Sequence, residues 1–240
     1  MLSIPSAGVC QFRPKNNFSL IAFLCGLLPC TLIAGAAEDP GASQLLPSVI
    51  LLGDSIRMNY QAVVSEAVKG KAVVWSPADN CGDTTYMLRN LERWVSGKKP
   101  RLIHINVGLH DMFLGAKSDK PRHTLKTYEK NLRAIFVKIE KLTDAKIVFA
   151  LTTAVNEKRQ ADSETYGRVV RRNADIEVYN AKAREVAKQM DIPVNDLNAF
   201  MKKNDADKII GKSDGVHLSK EGRDLLGDCV AQVILTHLSE

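Results

Sequence analysis

The regular alternation of two kinds of segment constrains the fold of this chain more than any other feature of its sequence. Short runs rich in β-branched residues alternate with longer segments in which apolar residues recur at helical spacing. The predicted strands are Ser48–Leu52, Ala72–Trp75, Leu102–Val107, Lys146–Leu151 and Ile192–Leu197, and the predicted helices are Met58–Val68, Thr85–Val95, Leu125–Leu142, Ile176–Met190 and Lys220–Leu238. Strands separated by helices form a parallel sheet that is covered on both faces. The pattern therefore predicts an α/β fold with a parallel sheet of five strands.

Composition and charge are those of an ordinary globular domain. Of the 240 residues, 45% are apolar and 25% are charged. A chain of this length buries about 70% of its unfolded surface, so its core needs no metal ion or disulfide to fold. The net charge is +6, but basic and acidic residues are interspersed along the predicted helices, which is typical of solvated helix faces. Nucleic-acid binders concentrate Lys and Arg on one surface, so we expect no nucleic-acid partner.

The amino terminus has the order of residues that is typical of a secretory signal peptide. Basic residues precede the apolar run Phe18–Ile33, and small residues follow it up to Ala37. The run has 16 residues and contains a proline, whereas a membrane-spanning helix needs about 20 apolar residues. We expect residues 1–37 to be cleaved, residues 38–240 to form the mature domain, and the protein to be secreted or periplasmic without stable membrane insertion. A retained amino-terminal anchor and a misplaced start are the alternatives.

Three of the five cysteines lie in this amino-terminal segment and would leave with it. Cys81 and Cys229 remain, and an exported protein meets an oxidising compartment. The two residues can form one disulfide, or both can stay as buried thiols. The sequence leaves both interpretations open.

The first group of residues suited to catalysis is Gly53-Asp54-Ser55. It directly follows the apolar run of the first predicted strand and precedes the first predicted helix. A serine in this place can use the free backbone N–H groups and the positive dipole end of the helix to stabilise an oxyanion. A serine before a helix is usually only a cap, so this tripeptide alone does not predict catalysis.

The second group is Asp214-Gly215-Val216-His217, which lies just before the last predicted helix. An aspartate and a histidine three residues apart on a tight turn can fold back on each other. The carboxylate then accepts the Nδ1–H of the imidazole and leaves Nε2 to take a proton from a hydroxyl group. An exposed aspartate beside an unrelated histidine is the alternative, but the presence of Ser55 favours a catalytic interpretation.

A polar stretch, Asn156–Asn173, interrupts the alternation after the fourth predicted strand. Its basic residues are Lys158, Arg159, Arg168, Arg171 and Arg172. The carboxyl ends of the strands are where α/β sheets bind ligands, so this stretch is either a lid over the site or a solvated surface insertion.

These motifs resemble those of the GDSL-like, or SGNH, hydrolases, and the resemblance covers essentially the whole predicted mature domain. That family carries Gly-Asp-Ser near the amino end, a later glycine, a Gly-x-Asn-Asp block and Asp-x-x-His near the carboxyl end. By this resemblance Ser55 is the nucleophile, His217 the general base and Asp214 its orienting acid. Gly82 matches the glycine whose backbone N–H joins that of Ser55 in the oxyanion hole. The resemblance also implies a flavodoxin-like three-layer α/β/α sandwich.

One block departs from the family pattern, because His110 stands where the family has the asparagine of Gly-x-Asn-Asp. That asparagine is an oxyanion donor, and the imidazole N–H of His110 can replace it. A histidine without a catalytic role and an inactive relative are the alternatives, since a missing donor lowers the rate about a hundredfold or more. The other candidate residues that could line the site are Asp54, Asn80, Asn106 and Asp111, and Asn80 and Asn106 are the alternative oxyanion donors if the backbone places them at the site.

The resemblance implies an ester hydrolase that forms an acyl-enzyme and needs no cofactor. A zinc site is not expected, because no histidine or cysteine pair has ligand spacing. The expected substrates are small-molecule, glycan or lipid esters, such as acetylated carbohydrates or lysophospholipids, and pocket shape decides among them. An O-acyltransferase that uses the same residues and a catalytically silent binding protein are the alternatives. The sequence does not indicate which oligomeric state the protein adopts.

Overall fold

The computed structural model describes residues 45–115 and 118–240, so the predicted signal peptide at residues 1–37 lies outside the described residues and stays a prediction. The strands are β1 (Ser48–Gly53), β2 (Val73–Trp75), β3 (Leu102–Asn106), β4 (Lys146–Ala150) and β5 (Val194–Asn195). The helices are α1 (Ser55–Ala67), α2 (Thr84–Val95), α3 (Leu125–Leu142), α4 (Glu157–Asp162), α5 (Asn173–Gln189), α6 (Leu197–Lys203), α7 (Ala206–Ile209) and α8 (Lys220–Leu238). Every predicted strand and every predicted helix is present.

The strands form one parallel sheet in the order β2-β1-β3-β4-β5. Gly53 at the end of β1 pairs with Asn106 at the end of β3, which pairs with Ala150 at the end of β4. The strand order reverses between β1 and β3, and α/β sheets bind ligands outside the carboxyl ends of the strands at such a point. Ser55 follows β1 at this place.

Helices cover both faces of the sheet. On one face the ring of Phe149 in β4 packs edge-on against Phe136 of α3, with centroids 5.6 Å apart, and α3 packs against α2 and α5. On the other face Asn195 of β5 contacts Cys229 of α8, and α8 packs against α1. The prediction of a flavodoxin-like three-layer α/β/α sandwich is therefore confirmed.

The central strands and the helices around them form the apolar core. Residues of β3 are all buried, as expected for a strand that is covered on both faces. The axes of α1 and α8 approach closely at Gly227, where a Cβ atom would lie 2.5 Å from the Cβ of Val63. This close packing fixes α8, and the turn that precedes it, against the helix that begins at Ser55.

Several element boundaries differ from the sequence-based expectation by a few residues, and two of them do so because aspartates cap the helices that follow. α1 begins at Ser55 rather than Met58, since the Asp54 carboxylate accepts the backbone N–H of Ile56 at 2.9 Å. β5 ends at Asn195 rather than at residue 197, since Asp196 caps α6. In both places a polar side chain ends the strand and begins a helix within one or two residues.

Two further features concern the cysteines and the length of the helices. Within the part of the chain that it describes, Cys81 and Cys229 are not joined by a disulfide. No helix of residues 45–115 and 118–240 combines the length and the apolar character that are needed to cross a bilayer.

Candidate active site

Ser55 occupies the first turn of α1, directly after the carboxyl end of β1. Backbone N–H groups in the first turn of a helix have no acceptor within the helix, and the helix dipole is positive there. The Ser55 Oγ lies 2.8 Å from Nε2 of His217, a residue 162 positions later in the chain. The fold thus brings together the two motifs at opposite ends of the predicted mature domain.

His217 is held by a turn that begins at Asp214. The Nδ1 atom of His217 lies 2.5 Å from Oδ2 of Asp214. The Oδ1 atom accepts the backbone N–H groups of Val216 and His217 at 2.9 and 3.0 Å. Burial raises the pKa of Asp214, but the hydrogen bonds from the His217 ring and from these two N–H groups lower it by more, so the net pKa lies below its usual value. An ionised Asp214 keeps the proton on Nδ1 and leaves Nε2 to accept the hydroxyl proton.

Gly215 allows this turn to form. Its φ angle is +71°, and a Cβ atom there would lie 2.3 Å from the backbone oxygen of Asn156. The backbone N–H of Asn156 donates to the Gly215 carbonyl at 2.7 Å. On the other side of the turn, the N–H of Leu218 donates to Oδ1 of Asn59 on α1 at 2.9 Å. The turn is therefore anchored on both sides.

Together, Ser55, His217 and Asp214 form a hydrogen-bonded row that can move a proton from a hydroxyl group to an imidazole. The structure places the side chains that the two motifs singled out within hydrogen-bond distance of one another. Among residues 45–115 and 118–240, no cluster of three or more His, Cys, Asp and Glu side chains is arranged to hold a metal ion. The arrangement has the geometry needed to activate the Ser55 hydroxyl as a nucleophile.

The predicted oxyanion donor Gly82 lies in the loop between β2 and α2 with a φ angle of +60°. Its N–H donates to Oδ1 of Asn80 at 2.8 Å, which closes an Asx turn. An N–H group can only donate, so the carboxamide oxygen of Asn80 must face it. The Oδ1 atom of Asn80 is thus an acceptor of this N–H, whereas the sequence offered the Asn80 side chain as an alternative donor.

His110 is half-buried and faces an open cavity. Burial lowers the pKa of His110; the nearby charge of Asp54 opposes this shift, whereas Arg171 and Arg122 reinforce it. The neutral imidazole, which has one N–H to donate, is therefore favoured. The cavity has a volume of about 240 Å³ and is lined by Asn80, Gly82, Asp83, Tyr86, His110 and Arg122.

Asn106 and Asp111 make structural contacts near the site. The Nδ2 atom of Asn106 lies 3.3 Å from the carbonyl oxygen of Ala150 and 3.4 Å from that of Leu151, which links β3 to the end of β4. The Asp111 carboxylate accepts the backbone N–H of Thr84 at 3.1 Å and its hydroxyl group at 2.5 Å. Burial raises the pKa of Asp111 to about 7. Asp111 thereby holds the amino terminus of α2 beside the site.

Asp54 is buried below the site as the cap of α1. Burial raises the pKa of Asp54, although the charges of His110, Arg171 and His217 and the hydrogen bond from Ile56 oppose the shift. Its carboxylate is thus close enough to His110 for the charges of the two groups to interact.

The polar stretch Asn156–Asn173 is packed along one edge of the site. The buried carboxamide of Gln160 accepts the N–H groups of Val170 and Arg171 at 3.2 and 3.0 Å and donates to the Arg171 carbonyl at 3.0 Å. Arg171 in turn donates to the carbonyl oxygen of Leu109 at 2.8 Å. The stretch therefore contacts the turn around Gly215 at one end and the loop after β3 at the other. It is neither an unattached lid nor a fully solvated insertion.

Sequence reasoning missed Arg57, which is completely buried two residues after Ser55. Arg57 lies on the same face of α1 as Tyr60 and Val64, at spacings of three and seven residues. A charged residue on an otherwise apolar helix stripe was the signal that could have identified it.

Comparisons with known sequences agree with the motifs. Residues 50–225 match the family described as the GDSL-like Lipase/Acylhydrolase family. A relative from Arabidopsis thaliana, GDSL esterase/lipase CPRD49, is 24% identical over 213 residues, which cover 78% of each chain.

Solved structures share the fold. A lipase/acylhydrolase from Enterococcus faecalis superposes with a TM-score of 0.65 at 23% identity, covering 80% of this chain and 96% of that one. An acetyl xylan esterase, AlAXEase, gives a TM-score of 0.62 at 23% identity, with 78% and 99% covered. Since the family match spans well over half of the sequence, the chain belongs to the GDSL-like lipase/acylhydrolase family of ester-hydrolysing enzymes.

Proposed function

We propose that this protein is an exported serine hydrolase of carboxylic esters that works through an acyl-enzyme. The observation that carries the proposal is the hydrogen-bonded row of Ser55, His217 and Asp214, with 2.8 Å between Oγ and Nε2 and 2.5 Å between Nδ1 and Oδ2. Membership of the family supports an ester as the bond that is broken. Export rests on the amino-terminal sequence alone.

The reaction proceeds in two halves. The Ser55 hydroxyl attacks the ester carbonyl carbon while Nε2 of His217 takes the hydroxyl proton, and Asp214 stabilises the resulting imidazolium. When the tetrahedral intermediate collapses, His217 gives this proton to the departing alcohol and the acyl group stays on Oγ. His217 then takes a proton from a water molecule that attacks the acyl carbon. The acid leaves as the proton returns to the Ser55 oxygen.

The oxyanion of each intermediate accepts hydrogen bonds from the backbone N–H groups of Ser55 and Gly82, and His110 is the third donor. Before substrate binds, the Gly82 N–H donates to the neutral Oδ1 of Asn80. A hydrogen bond to a charged oxygen is about twice as strong as one to a neutral oxygen, so the oxyanion displaces the Asn80 oxygen or shares the Gly82 N–H with it. His110 contributes a neutral N–H because its pKa is lowered.

Short acyl esters of carbohydrates are the substrates that we favour. The cavity beside Gly82 and His110 has a volume of about 240 Å³, whereas pockets for larger ligands have about 300 to 1,000 Å³. One of the solved structures with this fold is an acetyl xylan esterase. Lysophospholipids are the second substrate class to be compared.

A labelling experiment followed by a substrate panel tests the proposal. A fluorophosphonate should label the protein but not its Ser55→Ala variant, because the label reacts with the activated serine. The panel then compares acetyl with octanoyl esters of one chromogenic alcohol, an acetylated xylan and a lysophospholipid. We expect acetyl esters to be hydrolysed at least about tenfold faster than octanoyl esters. The absence of Ser55-dependent labelling would indicate a silent binding protein, and faster octanoyl turnover would contradict the substrate class.

A further inference from the structure

Arg57 is a buried positive charge whose hydrogen bonds go to neutral groups rather than to a carboxylate. The residue is completely inaccessible to solvent. A buried guanidinium is costly unless its N–H groups find acceptors in good geometry. Its hydrogen-bond partners are the carbonyl oxygens of Gly53, Pro77 and Asp79, the side-chain oxygen of Gln61 and the sulfur of Cys81.

All of these acceptors except the Gln61 oxygen on α1 belong to the two segments that flank the proposed nucleophile. Nε and Nη2 of Arg57 donate to the Gly53 carbonyl at 3.3 and 3.1 Å, at the end of β1. Nη1 donates to the Pro77 carbonyl at 3.0 Å, and Nη2 to the Asp79 carbonyl at 2.6 Å, in the loop between β2 and α2. The same Gly53 carbonyl also accepts the N–H of Cys81 at 3.1 Å. One planar side chain thus spans both segments.

The loop depends on such contacts because residues 76–83 have no helix or strand structure of their own. It carries Gly82, whose N–H must lie close to Ser55 to share an oxyanion. Asp111 holds the far end of this loop through Thr84. Arg57 holds the near end, and it belongs to the same helix turn as Ser55.

We propose that Arg57 is a positioning residue that sets the spacing between Ser55 and the backbone N–H of Gly82. This inference rests on the proposed ester hydrolysis. Since the guanidinium does not touch the substrate, its loss acts mainly on the oxyanion in the transition state. The effect therefore falls on kcat, whereas KM stays nearly constant.

Two substitutions test the assignment. Arg57→Lys keeps the charge but replaces the planar fork by a single nitrogen, which cannot reproduce the five-donor geometry. Arg57→Met removes the donors and keeps much of the volume. We expect kcat for an acetyl ester to fall about tenfold in the lysine variant and about a hundredfold in the methionine variant, with KM within about twofold.

The matched control is Arg93→Met. Arg93 forms an ion pair with the carboxylate of Asp79, on the same loop, but at the surface. Exposed ion pairs contribute little, so this variant should keep kcat and KM within about twofold.

A transition-state analogue separates positioning from a general loss of structure. A trifluoromethyl ketone forms a tetrahedral adduct with the serine, so its inhibition constant should rise by the same factor by which kcat/KM falls. Thermal unfolding checks that the variants are folded. Unchanged kcat in a folded Arg57→Lys variant would overturn the inference, as would a rise in KM alone or the failure of both Arg57 variants to fold. If the unmodified protein shows no Ser55-dependent turnover, the proposed function fails instead.

Discussion

The two sides of Ser55 differ in how completely they are arranged before a substrate binds. On the side of His217, the imidazole already contacts both Ser55 and Asp214. The turn that carries His217 is anchored to α1 and to the segment before α4. On the side of Gly82, the predicted oxyanion donor, the Gly82 N–H, is hydrogen-bonded to Asn80, and His110 lines an open cavity. The proton-transfer side is therefore preorganised, whereas we propose that the oxyanion side is completed by the substrate. Substitutions on the first side should be severe, and those on the second should be graded.

The largest effect is expected for His217→Ala. Without the imidazole, the Ser55 hydroxyl has no base to take its proton, and kcat should fall by about 10⁴-fold or more. Steady-state hydrolysis of an acetyl ester measures the change. The control is His237→Ala, because His237 lies near the carboxyl end of α8 and contacts Glu240 rather than the site. A decrease of less than tenfold in the His217 variant would contradict the proposed role.

His110→Ala should show a smaller effect, because two backbone donors remain when the imidazole is lost. Removal of one oxyanion donor lowers kcat about a hundredfold in related chemistry. His110→Asn should restore the rate of the unmodified protein or exceed it, since a carboxamide also donates an N–H. Measuring kcat for both variants on one acetyl ester tests this. Equal rates for the alanine variant and the unmodified protein would remove His110 from the oxyanion hole.

Gly215→Ala probes the preorganised side through the backbone. Both Gly215 and Gly70 have φ near +70°, but only at Gly215 would the added Cβ meet other atoms, the nearest being the Asn156 oxygen at 2.3 Å. Gly70→Ala should lower the free energy of unfolding by about 1 to 2 kcal/mol, from strain alone. Gly215→Ala should lower it by about 3 kcal/mol or more and reduce kcat about tenfold, because the turn must shift. Denaturant unfolding and ester hydrolysis measure the two effects, and equal losses in both variants would contradict the anchoring argument.

The positions of the residues on the preorganised side were largely predictable from the sequence, because each of the two motifs lies on one short segment. Asp214 and His217 lie on one turn, and Ser55 lies at a strand end that the topology places at the same edge of the sheet. The spacing of charged and catalytic residue types thus carries most of the information. The alternation of strands and helices likewise predicted the sheet, because the hydrophobic pattern is a property of each segment.

The oxyanion side was less predictable because its geometry depends on contacts between distant segments. The bonds of Arg57 to the Pro77 and Asp79 carbonyls are made to backbone atoms, which leave no trace in residue types. The hydrogen bonds of the Gln160 side chain likewise go to backbone N–H groups, which lie ten and eleven residues later in the chain. Backbone acceptors of this kind are invisible to motif reasoning, and only the fold shows which side chain reaches them.

The smallest expected effect, Asn80→Ala, is also the sharpest test of the difference between the two sides. The Asn80 oxygen competes with the oxyanion for the Gly82 N–H, and a neutral hydrogen bond contributes about 0.5 to 1.5 kcal/mol. Its removal should raise kcat for an acetyl ester by about two- to tenfold, the factor that corresponds to this energy. The control is Asn90→Ala on α2, where the lost bond is an exposed one to the Tyr86 carbonyl and no rate change is expected.

A fall in kcat for Asn80→Ala would reverse the interpretation of this side. The Asx turn would then be what holds Gly82 at its positive φ angle, and the loop would be preorganised after all. A rise in kcat would instead mean that the hydrogen bond to Asn80 uses the Gly82 N–H, which catalysis requires for the oxyanion. The sign of this small change therefore decides whether the oxyanion site exists before the substrate arrives or is formed by it.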